Sequence, residues 1–377
     1  MSIKAETGFS LKDHLFNEQS VGRLADALKQ AHPPLRRAAF MRESLEAFPQ
    51  LELKARIDHL VTVVTRHLPS QYSHALGILA QALPPPLDPD LLDDDFGEFI
   101  WVVPGEFAAR HGCTRQHLKR SLAFLQESTQ RFSAENAIRP FLASFPDETL
   151  DFIRECAAHE NYHVRRLATE GTRPLLPWCM RVNLPREPVL EVLDMLHADS
   201  TRYVTRSVAN HLNDIAKSDP TLVIRQLRRW HQAGRQTPDE LAWMTRHALR
   251  TLIREDNVDA LALLGYPKKP RIRLESLEVS PEVKVGEALT VSVAMTSLRS
   301  QALLITMKVY FRKANGQLSP KVFKVKDIQL TKDEPLAFTK RLPLRPMTTR
   351  TLYPGAHQVE IVANGTTISS APFLLVA

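Results

Sequence analysis

The chain has 377 residues, enough for two domains with a substantial core, and a formal net charge of +7 from 49 Lys and Arg against 42 Asp and Glu. Three cysteines, Cys113, Cys156 and Cys179, form no Cys-x-x-Cys pair and are odd in number, which argues against a disulfide framework or a thiolate metal site. No stretch approaches the roughly 18 unbroken apolar residues of a membrane span, and the N-terminus has no signal-peptide core, so a cytoplasmic protein without membrane contact is expected.

From about Val21 to Gly265 the pattern is helical, with apolar residues spaced by three and four in stretches such as 51–68 and 76–83. Proline-rich breaks at Pro33-Pro34, Pro84-Pro85-Pro86, Pro104-Gly105, Pro146, Pro185 and Pro238 divide it into short helices. The repeat is clearest from about 115 to 265 and irregular before that, as expected of capping repeats.

Within the regular part, four segments stand in register: Arg131-Phe-Ser-Ala-Glu135, Arg166-Leu-Ala-Thr-Glu170, Arg206-Ser-Val-Ala-Asn210 and Arg246-His-Ala-Leu-Arg250. Their arginines are 35, 40 and 40 residues apart, a period that predicts a HEAT or armadillo-like solenoid with equivalent positions on one ridge. Residues four apart share a helix face, so a second column, Glu135, Glu170, Asn210 and Arg250, is expected beside the arginines. Fixed cations next to carboxylates suit an enzyme acting on a polyanion. Taken singly, Arg131–Glu135 and Arg166–Glu170 also read as ordinary ion pairs on solvated helices. Two pairs in register favour the functional reading.

At Tyr266-Pro-Lys-Lys-Pro-Arg271 the composition changes. Alternating runs begin at Leu289, Leu304 and Val359, and Asn315-Gly316 and Asn364-Gly365 are hairpin turn signals. About seven strands without a cysteine pair predict an immunoglobulin-like sandwich. The fold class expected is therefore an all-α HEAT-like helical-repeat solenoid, residues 1–268, followed by a small all-β immunoglobulin-like sandwich, residues 269–377. From Arg271 onward there are 15 Lys and Arg against 8 Asp and Glu, so this part carries the whole positive excess. Lys308, Arg312, Lys313, Lys321, Lys324 and Lys326 cluster around one hairpin, either along phosphates or as lysines guarding a strand edge.

The segments Arg131–Leu142, His163–Trp178, Ser207–Lys217 and Arg246–Arg250 resemble the AlkC family of bacterial alkylpurine DNA glycosylases, which are built from HEAT-like repeats. The C-terminal part is similar to the immunoglobulin-like domain of one branch of that family. The resemblance implies base excision repair of alkylation damage: hydrolysis of the N-glycosidic bond of bases methylated at N3, such as 3-methyladenine and 3-methylcytosine, in double-stranded DNA, without enclosing a flipped base.

The residues suit that chemistry. An N3-methylated base is cationic, so its departure needs no proton and leaves an oxocarbenium-like sugar. A carboxylate about 4 Å from that cation gains roughly 4 kcal/mol at an effective dielectric near 20, or about three orders of magnitude in rate if felt only in the transition state. Glu135 and Glu170 are the catalytic candidates. Asp214, one turn beyond Asn210, is a third, or else a partner of Lys217. Arg131, Arg139, Arg165, Arg166, Arg206, Arg246 and Arg250, with Asn210, are expected on DNA, as are Arg312, Lys313, Lys321 and Lys324; some of the arginines would alternatively brace neighbouring repeats. Trp178 either stacks at the lesion or packs in the core. His211 touches the backbone or packs.

His159-Glu-Asn-Tyr-His163 matches the H-E-x-x-H zinc signature. Asn161, however, reads as the cap of a helix starting after it, which would break the shared helix face that zinc requires. No metal is expected, and without a P-loop or GxGxxG fingerprint no nucleotide cofactor is expected either. A monomer is anticipated. The rival functions are a non-catalytic HEAT-repeat scaffold for a protein partner and a damaged-DNA-binding protein that releases no base.

Overall fold

The computed structural model describes residues 10–91, 96–345 and 351–377, which form two compact units, Met1–Asp214 and Ile215–Ala377. Among the described residues, no helix is long and apolar enough to cross a membrane.

The first unit is helical. Each of its regular helices buries one apolar stripe: Leu150, Ile153 and Ala157 in Pro146–Ala157, then Val164, Leu167 and Ala168 in Tyr162–Gly171, are 4 % exposed or less. Helix starts are set locally. Asn161 accepts a hydrogen bond from the His163 amide at 2.9 Å, so the expected cap exists. His159 consequently precedes the helix while His163 lies inside it, and the H-E-x-x-H pattern presents no shared face. Pro146 occupies the first turn of its helix, where a missing N–H costs nothing. A non-helical segment, 172–185, separates Tyr162–Gly171 from Arg186–Leu196. It carries Trp178, whose φ of 66° lies in the left-handed region that few non-glycine residues adopt.

The second unit joins helices and strands. Pro220–Ala233, Pro238–Ala248, Arg250–Arg254 and Val258–Leu263 precede eight strands: β1 (Ile272–Val279), β2 (Glu282–Lys284), β3 (Ala288–Ser297), β4 (Gln301–Arg312), β5 (Leu318–Leu330), β6 (Pro335–Pro343), β7 (Gly355–Ala363) and β8 (Thr366–Val376). They form a three-stranded sheet, β1-β3-β6, and a five-stranded sheet, β2-β8-β7-β4-β5. All neighbours are antiparallel except β2 and β8. On β3, Leu289, Val291, Val293 and Met295 alternate inward and meet Ile305, Met307 and Val309 of β4 and Val359 and Ile361 of β7 in one core. The fold is thus a helical-repeat array followed by an immunoglobulin-like sandwich.

Asn364 and Gly365, at φ 49° and 81°, form the two-residue turn between β7 and β8 that positive φ at both positions defines. That turn lies against the preceding helices: a Cβ on Gly365 would come within 2.3 Å of the Asp256 carbonyl. Asp256, buried, accepts from Thr306 Oγ1 at 2.9 Å and pairs with Lys308 at 3.1 Å. Tyr266 donates to Asp327 at 2.6 Å and packs with Leu261 and Leu304.

Candidate active site

The predicted carboxylates gather in the first unit; of the two predicted pairs, Arg166–Glu170 is present and Arg131–Glu135 is not. Arg131 and Glu135 are not on a helix; they lie in the turn that follows Leu118–Ser128. Arg131 is buried and donates to the Pro84 and Glu127 carbonyls, each at 2.8 Å, and to the Glu127 carboxylate. Glu135 is held instead by Arg166, whose Nη1 lies 2.8 Å from Glu135 Oε2 and 2.8 Å from Ser133 Oγ. Ser133 also donates to that carboxylate at 2.8 Å. The guanidinium of Arg166 sits 4.5 Å above the Tyr203 ring and 3.8 Å from Glu170, its own i+4 neighbour.

Behind this pair lies a second, buried layer. Glu170 accepts from Arg173 at 2.6 Å and from Ser207 Oγ at 2.5 Å, and Arg173 reaches Asp214 at 2.9 Å. Burial opposes ionisation of Glu170, but Arg166 and Arg173, with the Ser207 hydroxyl, outweigh it and hold the carboxyl below its ordinary range. Desolvation likewise works against the Arg166 charge, and Glu135 and Glu170 more than restore it. The side chain of Glu135 is 27 % exposed, against 6 % for Glu170 and 2 % for Asp214. Only Glu135 of the three therefore presents an edge to the surface. It lines a cleft of about 280 Å³ together with Phe132, Asn136 and Trp178. Trp178 is 70 % exposed, which excludes core packing for it.

The arginine row is shorter than the repeat predicts. Arg166 and Arg206 occupy equivalent positions, each the fifth residue of its helix, and Glu170 and Asn210 follow as the ninth. Arg246 is the ninth residue of Pro238–Ala248, so it stands one turn out of register, and a break at Leu249 separates it from Arg250. Arg246 donates to Tyr266 Oη at 3.2 Å, and Arg250 to the His247 carbonyl at 2.7 Å. Arg139 has no exposure. Its Nε donates to the Met180 carbonyl at 2.6 Å, and its Nη1 to the carbonyls of Gly171 and Arg173 at 2.8 and 2.9 Å. It clamps both ends of the Trp178 segment and does not face a phosphate. Arg165 is bidentate to Asp199, at 2.5 and 3.1 Å, and also donates to the His159 and Glu160 carbonyls. Arg131, Arg139 and Arg165 thus brace the protein. His211 is buried, with Nδ1 3.0 Å from the Thr169 carbonyl, and loss of solvent pushes its pKa down to about 4.

In the sandwich, Arg312 and Lys313 are exposed at the β4–β5 turn and Lys321 is exposed on β5. Lys324 pairs with Asp327 at 2.9 Å. Lys308 belongs to the buried contact with Asp256 and not to the hairpin tip.

Sequence reasoning did not assign Ser133, Arg173, Tyr203 or Ser207. Arg173 stood inside a quoted segment, but its pairing across 41 residues to Asp214 carries no local signal.

Residues 128–252 match the family model described as DNA alkylation repair enzyme, and residues 273–377 match the model of the C-terminal Ig-like domain of the uncharacterised protein YhaZ. The uncharacterized protein YhaZ of Bacillus subtilis (strain 168) is 32 % identical over 364 residues, covering 95 % of this chain and 98 % of that protein. A Pseudomonas fluorescens alkylpurine DNA glycosylase, AlkC, solved bound to DNA containing an abasic site analog, is 32 % identical with a TM-score of 0.80, covering 98 % of this chain and 100 % of the other. Relatives matched from end to end at this identity, around a cluster of carboxylates held by arginines, make the chain a member of the AlkC family of DNA alkylation repair glycosylases, in the branch with a C-terminal immunoglobulin-like domain.

Proposed function

We propose that the helical part, residues 1–268, hydrolyses the N-glycosidic bond of cationic N3-methylated bases, 3-methyladenine and 3-methylcytosine, in duplex DNA, and that the basic sandwich, residues 269–377, adds affinity for the phosphate backbone. The observation that carries this reading is the position of Glu135. It is the one carboxylate of the cluster open to the cleft, fixed by Arg166 and Ser133 and bordered by the exposed Trp178. As the C1′–N bond breaks, its electron pair leaves with the base and positive charge grows on the sugar. A carboxylate already held in place stabilises that charge without reorganising. Water then adds to C1′ and gives up a proton. Glu170 and Asp214 act from behind, fixing Arg166 and Arg173, which in turn hold the reacting face. Trp178 stacks at the lesion. The partner is double-stranded DNA, a reading supported by the Pseudomonas relative, which was solved bound to DNA containing an abasic site analog.

The test is release of free base from methylated duplex. Wild type releases base above the spontaneous rate, and Glu135→Gln reduces release at least tenfold with DNA binding retained. No release by folded wild-type protein would transfer the assignment to a damaged-DNA-binding protein.

A further inference from the structure

The cleft beside Glu135 contains a second carboxyl that the reaction does not use. Glu106, on the Val102–Gly112 helix, accepts from Asn136 Nδ2 at 2.7 Å, and among the described residues no other side chain bonds to it. Its neighbours are Lys54 and Asp58 from Leu53–His67, Arg110 on its own helix, and Glu135 and Cys179 across the cleft. Asp58 bonds to Arg110 at 2.8 Å and Glu135 is held by Arg166, so Glu106 is the carboxyl without a cationic partner of its own. Burial, with a smaller push from Asp58, raises its pKa above the usual range against the pull of Asn136, Arg110 and Lys54. The remaining walls are apolar and aromatic: Phe99, Val102, Phe132 and the Trp178 segment. At about 280 Å³ the space is just below the usual span of ligand sites, about 300 to 1,000 Å³, so it suits one ring system and not a nucleotide.

The Glu106 carboxyl beside the Asn136 carboxamide places acceptors and a donor together on one edge of the cleft. Nucleobases present the same alternation, an amino group beside a ring nitrogen, on a flat apolar body. Glycosidic cleavage changes the charge of the base. The bonding pair leaves with it, cancels the positive charge at the N3-methylated ring, and makes the product neutral where the substrate was a cation.

We propose that this cleft is a product site, which receives the freed neutral nucleobase with its amino–imino edge against Glu106 and Asn136 and its ring against Phe99 and Phe132. The assignment rests on the glycosylase reading, which supplies the base. The cleft holds a base already cut from DNA, so it does not require that a base attached to its sugar be flipped into a pocket.

The experiment is equilibrium binding of free 3-methyladenine to the full-length protein without DNA, followed by saturation-transfer NMR and by quenching of tryptophan emission. The wild type binds, Glu106→Leu weakens binding at least tenfold, and Glu106→Gln, which keeps a donor and an acceptor at that place, retains it. Melting curves of the variants show that they fold, and Asn136→Leu, which removes the other half of the polar edge and should likewise weaken binding at least tenfold, carries the test if Glu106→Leu does not fold. Absence of binding by wild type at millimolar base, or equal binding by wild type and Glu106→Leu, overturns the proposal. Excision of base from methylated duplex is measured separately. Excision without free-base binding removes the product site and leaves the glycosylase reading standing. Binding without excision leaves a nucleobase-binding cleft but overturns its assignment as a product site together with the reaction.

Discussion

Single residues in the helical unit divide by which way they face, and sequence spacing could not tell the directions apart. Glu135 and Glu170 were both legible as acids beside arginines. The Arg166–Glu170 pair was legible as well; the partner of Glu135 was not, because the chain unwinds after Ser128 and a turn brings Glu135 to Arg166, 31 residues on, and not to Arg131. Arg139 shows the same limit. Its type and motif suit phosphate, yet its guanidinium donates to three carbonyls that border the Trp178 segment. Arg139→Lys cannot span them, and should cost on the order of 2 kcal/mol in urea unfolding while lowering base release through a displaced Trp178. An unchanged unfolding midpoint would contradict the clamp.

His211 gives a pH-dependent counterpart. Its folded value of about 4 lies below the ordinary 6.5, so the unfolded chain takes up a proton that the folded one resists. Its contribution to stability is complete above pH 6.5 and is lost as pH falls toward 4, by an amount on the order of 3 kcal/mol. Glu170, a carboxyl with a depressed value, acts lower. Its contribution is present above the ordinary 4.5 and declines only below it. Comparing denaturation of wild type and His211→Asn at pH 7, 5.5 and 4.5 should show a gap that narrows with falling pH, since Asn keeps a donor for Thr169 without the basic ring. A constant gap would refute the sign.

At the scale of elements, capping and turn chemistry were the most readable signals. Asn161 caps where its side chain and the following periodicity require, and Asn364-Gly365 turns the chain with positive φ at both residues. What the turn touches was not readable, because contact with Asp256 depends on packing across more than a hundred residues. Gly365→Ala meets two costs at once, a strained φ and a Cβ placed 2.3 Å from the Asp256 carbonyl. It should destabilise the protein by about 1–3 kcal/mol, seen as a lowered melting temperature. Gly316, also at positive φ but with open space around its Cβ position, provides the comparison: Gly316→Ala bears the first cost alone and should lose less. The β4–β5 hairpin was legible as a basic ribbon, though Lys308 and Lys324 are engaged with acids and leave Arg312, Lys313, Lys321 and Lys326 as its exposed cations.

For the whole molecule, the repeat period announced a helical array and the alternation announced a sandwich, and both architectures are present. The composition break near 268 marks where helix gives way to strand, while the compact second unit begins at Ile215. Charge is also a property of the whole: the positive excess resides in the sandwich. If the hairpin follows the DNA backbone, replacing Arg312, Lys313 and Lys321 together should weaken binding to any duplex sequence and reduce the logarithmic salt slope by about one for each phosphate contact removed. Identical slopes for the triple variant and wild type would take the hairpin off the DNA.

The buried meeting of Asp256 with Thr306 and Lys308, and of Tyr266 with Asp327, bears on how such a chain can change over generations. A stop codon near 268 would not release a ready-made shorter enzyme. It would expose Leu261 and Tyr266 and leave their helices without the sheet they fold against. Loss of the C-terminal part in a descendant must therefore be preceded by substitutions that make Leu261 and Tyr266 tolerant of water. Gain of such a part by gene fusion would need the reverse order, with the acid at 256 arriving only once a lysine stood ready to meet it.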